Sequence, residues 1–258
     1  MKIVAINGSP KGPSSNTNVM VSAFLKGAQA AGAETVNIFL AGKEINHCRG
    51  CISCWIKTPG QCVIKDDMAE ILASKEGADI LVLATPLYYD HISSILKTFM
   101  DRMIVTVAPY IQKYKGGECR HLHQDNNASP FRSGELPPKL VMISNCGYPE
   151  RSHFQVISLW VKRLALNMLT EVIGEIYMPQ GPFLTAPAEA LHALAAGCPQ
   201  LSDNIAHYLH LLEKAGEEIV INNRLSEETN KVLSEQQFMP DDMHIQANNL
   251  WIDSMAKK

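Results

Sequence analysis

Four cysteines lie between positions 48 and 62, spaced as Cys48-x2-Cys51-x2-Cys54-x7-Cys62. Thiolates this close together let one short loop supply several corners of an iron–sulfur cubane, and a [4Fe-4S] cluster takes four cysteine ligands. A structural zinc ion could use the same sulfurs, although a tetrahedral four-cysteine zinc site needs two ligand pairs with enough chain between them to fold around the ion. The unbroken two-residue steps from Cys48 to Cys54 suit a cubane better. Two further readings stay open: a C-x-x-C pair cycling between dithiol and disulfide, or plain half-buried thiols on a surface loop. Cys119-Arg120-His121-Leu122-His123 also alternates potential ligands, with no fourth partner evident nearby.

Three polar segments follow apolar runs. Gly8-Ser9-Pro10-Lys11-Gly12-Pro13-Ser14-Ser15-Asn16-Thr17 opens directly onto a helical pattern. Its backbone N–H groups, with Ser9, Ser15, Asn16 and Thr17, could surround a phosphate dianion at the positive end of that helix. Ser15 or Asn16 could equally be an ordinary N-cap. Neither GxGxxG nor a Walker A lysine is present, which favours a monophosphate over a dinucleotide or a nucleoside triphosphate. Thr85-Pro86-Leu87-Tyr88-Tyr89 offers aromatics that could flank a flat ring, and Asn145-Cys146-Gly147-Tyr148 could line a site or simply turn. Neither Cys146 nor Cys198 has a base at a legible spacing, so no cysteine nucleophile is expected. His91, beside Asp90, reads as a surface residue opening the next helix or as one that orients a substrate. No protein side chain is expected to carry the chemistry itself.

The elements that must position these residues alternate. Residues 2–7, 35–40, 79–84, 139–145 and 171–178 read as strands, and 17–32, 66–74, 92–103 and 153–168 as helices. Residues 79–84 are apolar on both faces, as in a central parallel strand. The alternation predicts an α/β fold with a doubly wound five-stranded parallel sheet, helices on both faces, and ligand loops beyond the strands' carboxyl ends. Residues 1–184 form that unit, with an unperiodic insertion at about 109–138 read as a loop. Residues 185–258 form a helical extension with patterns at 201–220 and 226–236 and no clear period beyond Pro240. Its apolar positions Leu201, Ile205, Leu209 and Leu212 must pack into the same domain or against a partner subunit.

Lys+Arg number 23 and Asp+Glu 26 in 258 residues, for a net charge of −3. That balance argues against nucleic acid or anionic membranes as partners. The start reaches a turn too soon for a signal peptide and no apolar run is long enough for a span, so a cytoplasmic protein with reduced cysteines is expected.

Gly8-Ser9-Pro10 with Ser15-Asn16-Thr17, Thr85-Pro86-Leu87-Tyr88-Tyr89, and Leu96-Lys97 with Phe99 and Asp101-Arg102 together resemble the flavodoxin-like NADPH-dependent FMN reductases over roughly residues 1–180. The cysteine spacing, with Asp66-Asp67-Met68 downstream, is similar to the iron–sulfur flavoprotein branch, whose compact cysteine motif follows the second strand. The resemblance implies that the first loop, from Ser9 through Lys11 to Ser15, Asn16 and Thr17, holds the FMN phosphate. Pro86, Leu87, Tyr88, Tyr89, Asn145 and Gly147 would hold the isoalloxazine ring, with Cys146 able to touch it. Cys48, Cys51, Cys54 and Cys62 would hold a [4Fe-4S] cluster. Asp101 and Arg102 are read as a structural ion pair. The implied activity is electron transfer from NAD(P)H or a ferredoxin-type donor to a small acceptor such as a quinone or flavin, in a homodimer or homotetramer. The alternatives are a flavodoxin-like carrier without turnover, which the length and weak charge fit poorly, an FMN reductase whose cysteine loop is metal-free or binds zinc, and a flavin-free scaffold whose cysteines bind zinc.

Overall fold

The computed structural model describes residues 1–114, 117–123, 137–186 and 197–256. The part of the 109–138 insertion at 124–136 and residues 187–196 of the extension lie outside them.

Lys2–Asn7 is β1, Asn16–Ala30 is α1 and Glu34–Phe39 is β2. The cysteine segment follows, with the single turn α2 (Ser53–Ile56), then α3 (Met68–Ser74), β3 (Ile80–Pro86) and α4 (Ser94–Arg102). Val107–Lys113 and Cys119–His123 are β4 and β5. Then come β6 (Lys139–Asn145), α5 (Gln155–Asn167) and β7 (Val172–Met178). The chain continues with α6 (Leu201–Asn222), α7 (Glu227–Ser234) and α8 (Asp241–Ala256).

Five strands form a parallel sheet in the order β2-β1-β3-β6-β7. The order steps outward from β1 in both directions, so helices cover both faces and a crevice opens beyond the carboxyl ends of β1 and β3. Side chains alternate between the faces at the period of two that a strand imposes. Ile3 and Ala5 join α1 and the carboxyl-terminal helices in one core, while Val4 and Ile6 join α3, α4 and α5 in the other.

The extension completes the first core. Leu201, Tyr208, Leu212, Ala215 and Ile219 of α6 are buried, with Ile205 and Leu209 partly buried beside them. Here α6 crosses α1 at backbone contact: a Cβ on Gly216 would stand 1.9 Å from the Phe24 carbonyl oxygen, and one on Gly27 1.8 Å from that of Glu213. Only glycine at both positions permits so close a crossing. The extension therefore packs against the sheet's own helix α1.

Two expectations are corrected. The insertion is not wholly loop, since β4 and β5 pair as an antiparallel ribbon with a bulge between Val107 and Ile111. Along β4 the residues pass from half-buried to exposed rather than alternating, so there is no period of two to read. The stretch beyond Pro240 is the helix α8, begun by Asp241 and Asp242 at its positive end. Its apolar residues do not gather on one face, which hid it. No helix among the described residues is long and apolar enough to cross a membrane.

Candidate functional site

The crevice at the carboxyl edge brings together Ser9, Lys11, Ser15, Asn16, Thr17, Pro86, Leu87, Tyr88, Asn145, Cys146, Gly147 and Pro182 around about 130 Å³. These come from four separate loops. Gly8 turns the chain out of β1 with its N–H on the Ala84 carbonyl at 2.7 Å, and a Cβ there would collide with the Leu96 Cβ at 2.6 Å. Ser15 is the N-cap of α1, its Oγ accepting from the Asn18 N–H at 3.0 Å and donating to the Gly12 carbonyl at 2.7 Å. The cap and the anion-site readings are thus compatible. One first-turn amide is satisfied by Ser15, while Asn16 and Thr17 border the crevice, and no acidic residue in that turn offsets the positive helix end.

The second and third loops are locked onto the first. Asn145 Nδ2 donates to Thr17 Oγ1 at 2.8 Å, and the Leu87 N–H donates to the Asn145 carbonyl at 2.8 Å. Ser93 Oγ donates to the Gly8 carbonyl at 2.5 Å. Tyr88 and His91 form an antiparallel bridge with Tyr89 and Asp90 at positive φ at its tip. Tyr88 is half exposed at the crevice rim, whereas Tyr89 is fully exposed and lies outside the lining. Of the residues assigned to this site from the sequence, Tyr89 is thus the one that the structure does not bring to it. His91 is engaged locally: its Nδ1 accepts from the Ile92 N–H at 2.8 Å and its ring meets Trp160 edge-on. Cys146 is buried, and burial pushes its thiol up to about 11, so it is no nucleophile at neutral pH.

Pro182 and the residues behind it were not found from the sequence. The segment after β7 reaches the same sheet edge as the other ligand loops, and that position was the available signal. Gln180, fully buried, accepts from the Phe238 and Met239 N–H groups and donates to the Met239 carbonyl at 2.7 Å. His244 of α8 hydrogen-bonds the Gly147 carbonyl through Nε2 at 2.7 Å and packs edge-on against Phe183. The extension therefore supports the third ligand loop directly.

The cysteine loop stands after β2, and its two stems are stapled together. The Glu44 N–H donates to the Asp67 carboxylate at 2.8 Å and the Asn46 N–H to Asp66 at 2.9 Å. Arg102 spans both stems, donating to the Asn46 carbonyl at 2.8 Å and to both oxygens of Asp66 at 2.7 and 3.1 Å. The ion-pair expectation is corrected accordingly: Arg102 pairs with Asp66 in the interior, and Asp101 pairs with Lys97 on the surface. Consecutive helical residues point about 100° apart, so neighbours seldom face each other. Trp55 Nε1 donates to the Ile104 carbonyl at 3.2 Å, and its ring lies 5.1 Å from that of His121 on β5.

Cys48, Cys51, Cys54 and Cys62 line one small cavity walled by Ile52, Val63, Ile64, Ile104 and Val105, with Arg49 and Arg102 beside them. Burial raises the Cys54 thiol, and the neighbouring Cys62, Cys48 and Cys51 raise it further, as clustered like charges must. The Cys51 thiol is lowered, chiefly by hydrogen bonds from Ser53. Among the described residues no three His, Cys, Asp or Glu side chains converge on a point where one ion would sit. The thiols surround an apolar pocket backed by a guanidinium, a donor set that suits an anionic thiolate-bound cluster. Cys119 is exposed, and His121 is occupied by Trp55 and the Ala108 carbonyl. The His123 side chain lies outside the described residues.

The sequence profile of the NADPH-dependent FMN reductases matches residues 1–118. An iron–sulfur flavoprotein of Archaeoglobus fulgidus is 40% identical over 104 residues, which are 40% of this chain and 46% of that protein. One of Methanocaldococcus jannaschii is 43% identical over 102 residues, 40% and 51% of the respective chains. The chain thus matches about half the length of these relatives. Among solved structures, an FMN-dependent NADH-azoreductase from Bacillus anthracis superposes with a TM-score of 0.53 at 17% identity, covering 87% of this chain and 99% of that one. An NAD(P)H:quinone oxidoreductase from Methanothermobacter marburgensis gives 0.53 at 14%, covering 85% and 96%. At such identities the likeness establishes a shared flavodoxin-like fold. Residues 1–118, where the phosphate-type loop, the Pro-Tyr loop and the cysteine loop all lie, are thus similar to the NADPH-dependent FMN reductases and, in the stretches of 102–104 residues that align, to iron–sulfur flavoproteins.

Proposed function

We propose that this protein is an FMN-dependent oxidoreductase passing electrons from NAD(P)H or a reduced ferredoxin-type carrier to a small acceptor such as a quinone or flavin. A [4Fe-4S] cluster on Cys48, Cys51, Cys54 and Cys62 would serve as its relay. The observation that carries this reading is the convergence of Ser9, Ser15, Asn16 and Thr17 with residues 86–88 and 145–147 on one crevice at the sheet's carboxyl edge. When bound, FMN supplies the redox chemistry, and the protein contributes anchoring, electrostatics and access to the ring.

Each part of that contribution has residues here. Ser9, Ser15 and Thr17 are buried hydroxyls beside the unneutralised end of α1, suited to a phosphate dianion. A bound flavin ring would be held by Pro86, Leu87 and Tyr88, of which Tyr88 is half exposed at the crevice rim. Asn145 and Gly147 line the same crevice, where Asn145 is fixed by Thr17 and Gly147 by His244. No acid–base pair is needed in the crevice. A homodimer or homotetramer in the cytoplasm completes the proposal.

The test is addition of FMN to protein stripped of cofactor. Quenching of flavin fluorescence at one FMN per chain, followed by bleaching of the flavin bands on anaerobic addition of NADPH or NADH, is expected. Failure to bind FMN would overturn the reading. Binding without reduction by either nucleotide would point to the carrier protein as donor.

A further inference from the structure

Arg102 makes more contacts than a loop staple requires and leaves one donor unused. Its guanidinium is 1% exposed, and the two terminal nitrogens are spent on Asp66 and the Asn46 carbonyl. Its Nε is buried without a hydrogen-bond partner. A buried donor left unsatisfied is costly, so an orphan in so ordered a network calls for an acceptor. The side chain that shares this ground is Cys62. Arg102 and Cys62 border the cysteine cavity together, and together they border a second cavity of about 370 Å³ that reaches over Met68, Leu72 and Glu76 of the α3 region. Burial works against the Arg102 charge, but Asp66 and, after it, the neighbouring Cys62 hold the guanidinium more basic than usual. A neutral thiol is a weak acceptor, whereas an iron-bound thiolate is an anionic one.

We propose that Arg102 is a positioning residue for the cluster, donating through Nε to the Cys62 sulfur when that sulfur ligates iron and so setting the cluster's reduction potential. The inference rests on the cluster reading above and deepens it. Hydrogen bonds to the ligating sulfurs and local charge are principal determinants of such potentials. Reduction adds negative charge, so a buried cation and donor at one ligand favour the reduced state and raise the potential. Cys48 and Cys51, by contrast, are exposed. Cys54 is buried and Cys62 half-buried, and of these two Cys62 is the one that borders both cavities with Arg102, whose guanidinium Asp66 holds in place.

The experiment is a redox titration of anaerobically reconstituted full-length protein, followed by the cluster's absorbance and electron paramagnetic resonance, with iron and FMN assayed on each sample. Arg102→Lys keeps a charge for Asp66 but lacks the side donor. The double variant R102M/D66N removes both charges together, so no buried ion is left unpaired should the single variant fail to fold. In both, the reduction equilibrium should shift about tenfold toward the oxidised cluster, a fall of about 59 mV for one electron, with iron and FMN contents unchanged. An iron-replete variant titrating at the wild-type potential would overturn the inference alone. Wild-type protein that takes up FMN but no iron would overturn it together with the cluster reading.

Discussion

Asn145 Nδ2 donates to Thr17 Oγ1 at 2.8 Å, tying two crevice loops 128 positions apart in sequence. Thr17 is the second residue of α1, so the bond holds the carboxyl end of β6 against the helix terminus that would receive the phosphate. Thr17→Val removes the acceptor while keeping the shape and strands a buried amide. FMN affinity should fall about tenfold, the equivalent of a lost hydrogen bond of about 1–1.5 kcal/mol. Fluorescence titration of stripped protein measures this, and an unchanged Kd would separate the bond from cofactor binding.

The cysteine loop and the crevice are distinct in the structure, with no residue lining both cavities. Replacing Cys48, Cys51, Cys54 or Cys62 singly by Ser should therefore cut bound iron and acid-labile sulfide while leaving FMN at one per chain. Loss of FMN in all four variants would show that the loop supports the crevice as well.

Asp66 gives the protein a specific acid sensitivity. Burial alone would raise its carboxyl, but the Arg102 bond and the Asn46 and Met68 amides outweigh burial and hold it at about 2, against an ordinary 3.8. A depressed carboxylate stabilises the fold fully above its unfolded-state value and loses that contribution as pH falls through the folded-state value. Between about pH 4 and pH 2 the protein should lose about 1–2 kcal/mol from this group, allowing for solvent screening. Urea midpoints measured across that range should show the slope in the wild type and a shallower one in R102M/D66N.

The α1–α6 crossing should be intolerant of any side chain. At Gly216 the atom in the way is the Phe24 backbone oxygen, which no rotamer change can move. Gly216→Ala should cost at least about 2 kcal/mol through overpacking, read as a lower Tm. Gly42, with nothing within 4 Å but a φ of +84°, serves as the exposed comparison, where only backbone strain applies.

How much of this was legible in the sequence differs by residue. The strand at 139–145 and the ligand loops could be read because a buried parallel strand is apolar throughout and its carboxyl-terminal loop must turn. Ser9, Ser15, Thr17, Leu87 and Asn145 then fell to the crevice by topology. Tyr89 did not, because adjacent residues in a tight turn diverge, and the positive φ at Tyr89 and Asp90 is invisible in a Tyr-Asp pair. The partner of Arg102 was hidden because Asp66 lies 36 positions away, across a loop with no period to place it. His244 and Gln180 were hidden for the same reason: their contacts depend on where the extension returns, and long-range docking of a helix leaves no local pattern. The glycines at 27 and 216 are what lets α1 and α6 touch, and no local pattern marks them for that contact.

The measurement that bears most directly on the central claim is the ultraviolet–visible spectrum of anaerobically purified protein, with iron, zinc and acid-labile sulfide assayed on the same sample. Flavin bands superposed on a broad absorbance, with about four iron and four sulfide per chain as a cubane held by four cysteines requires, are the predicted result. Zinc in place of iron, or a protein that stays colourless after FMN is added, would contradict it.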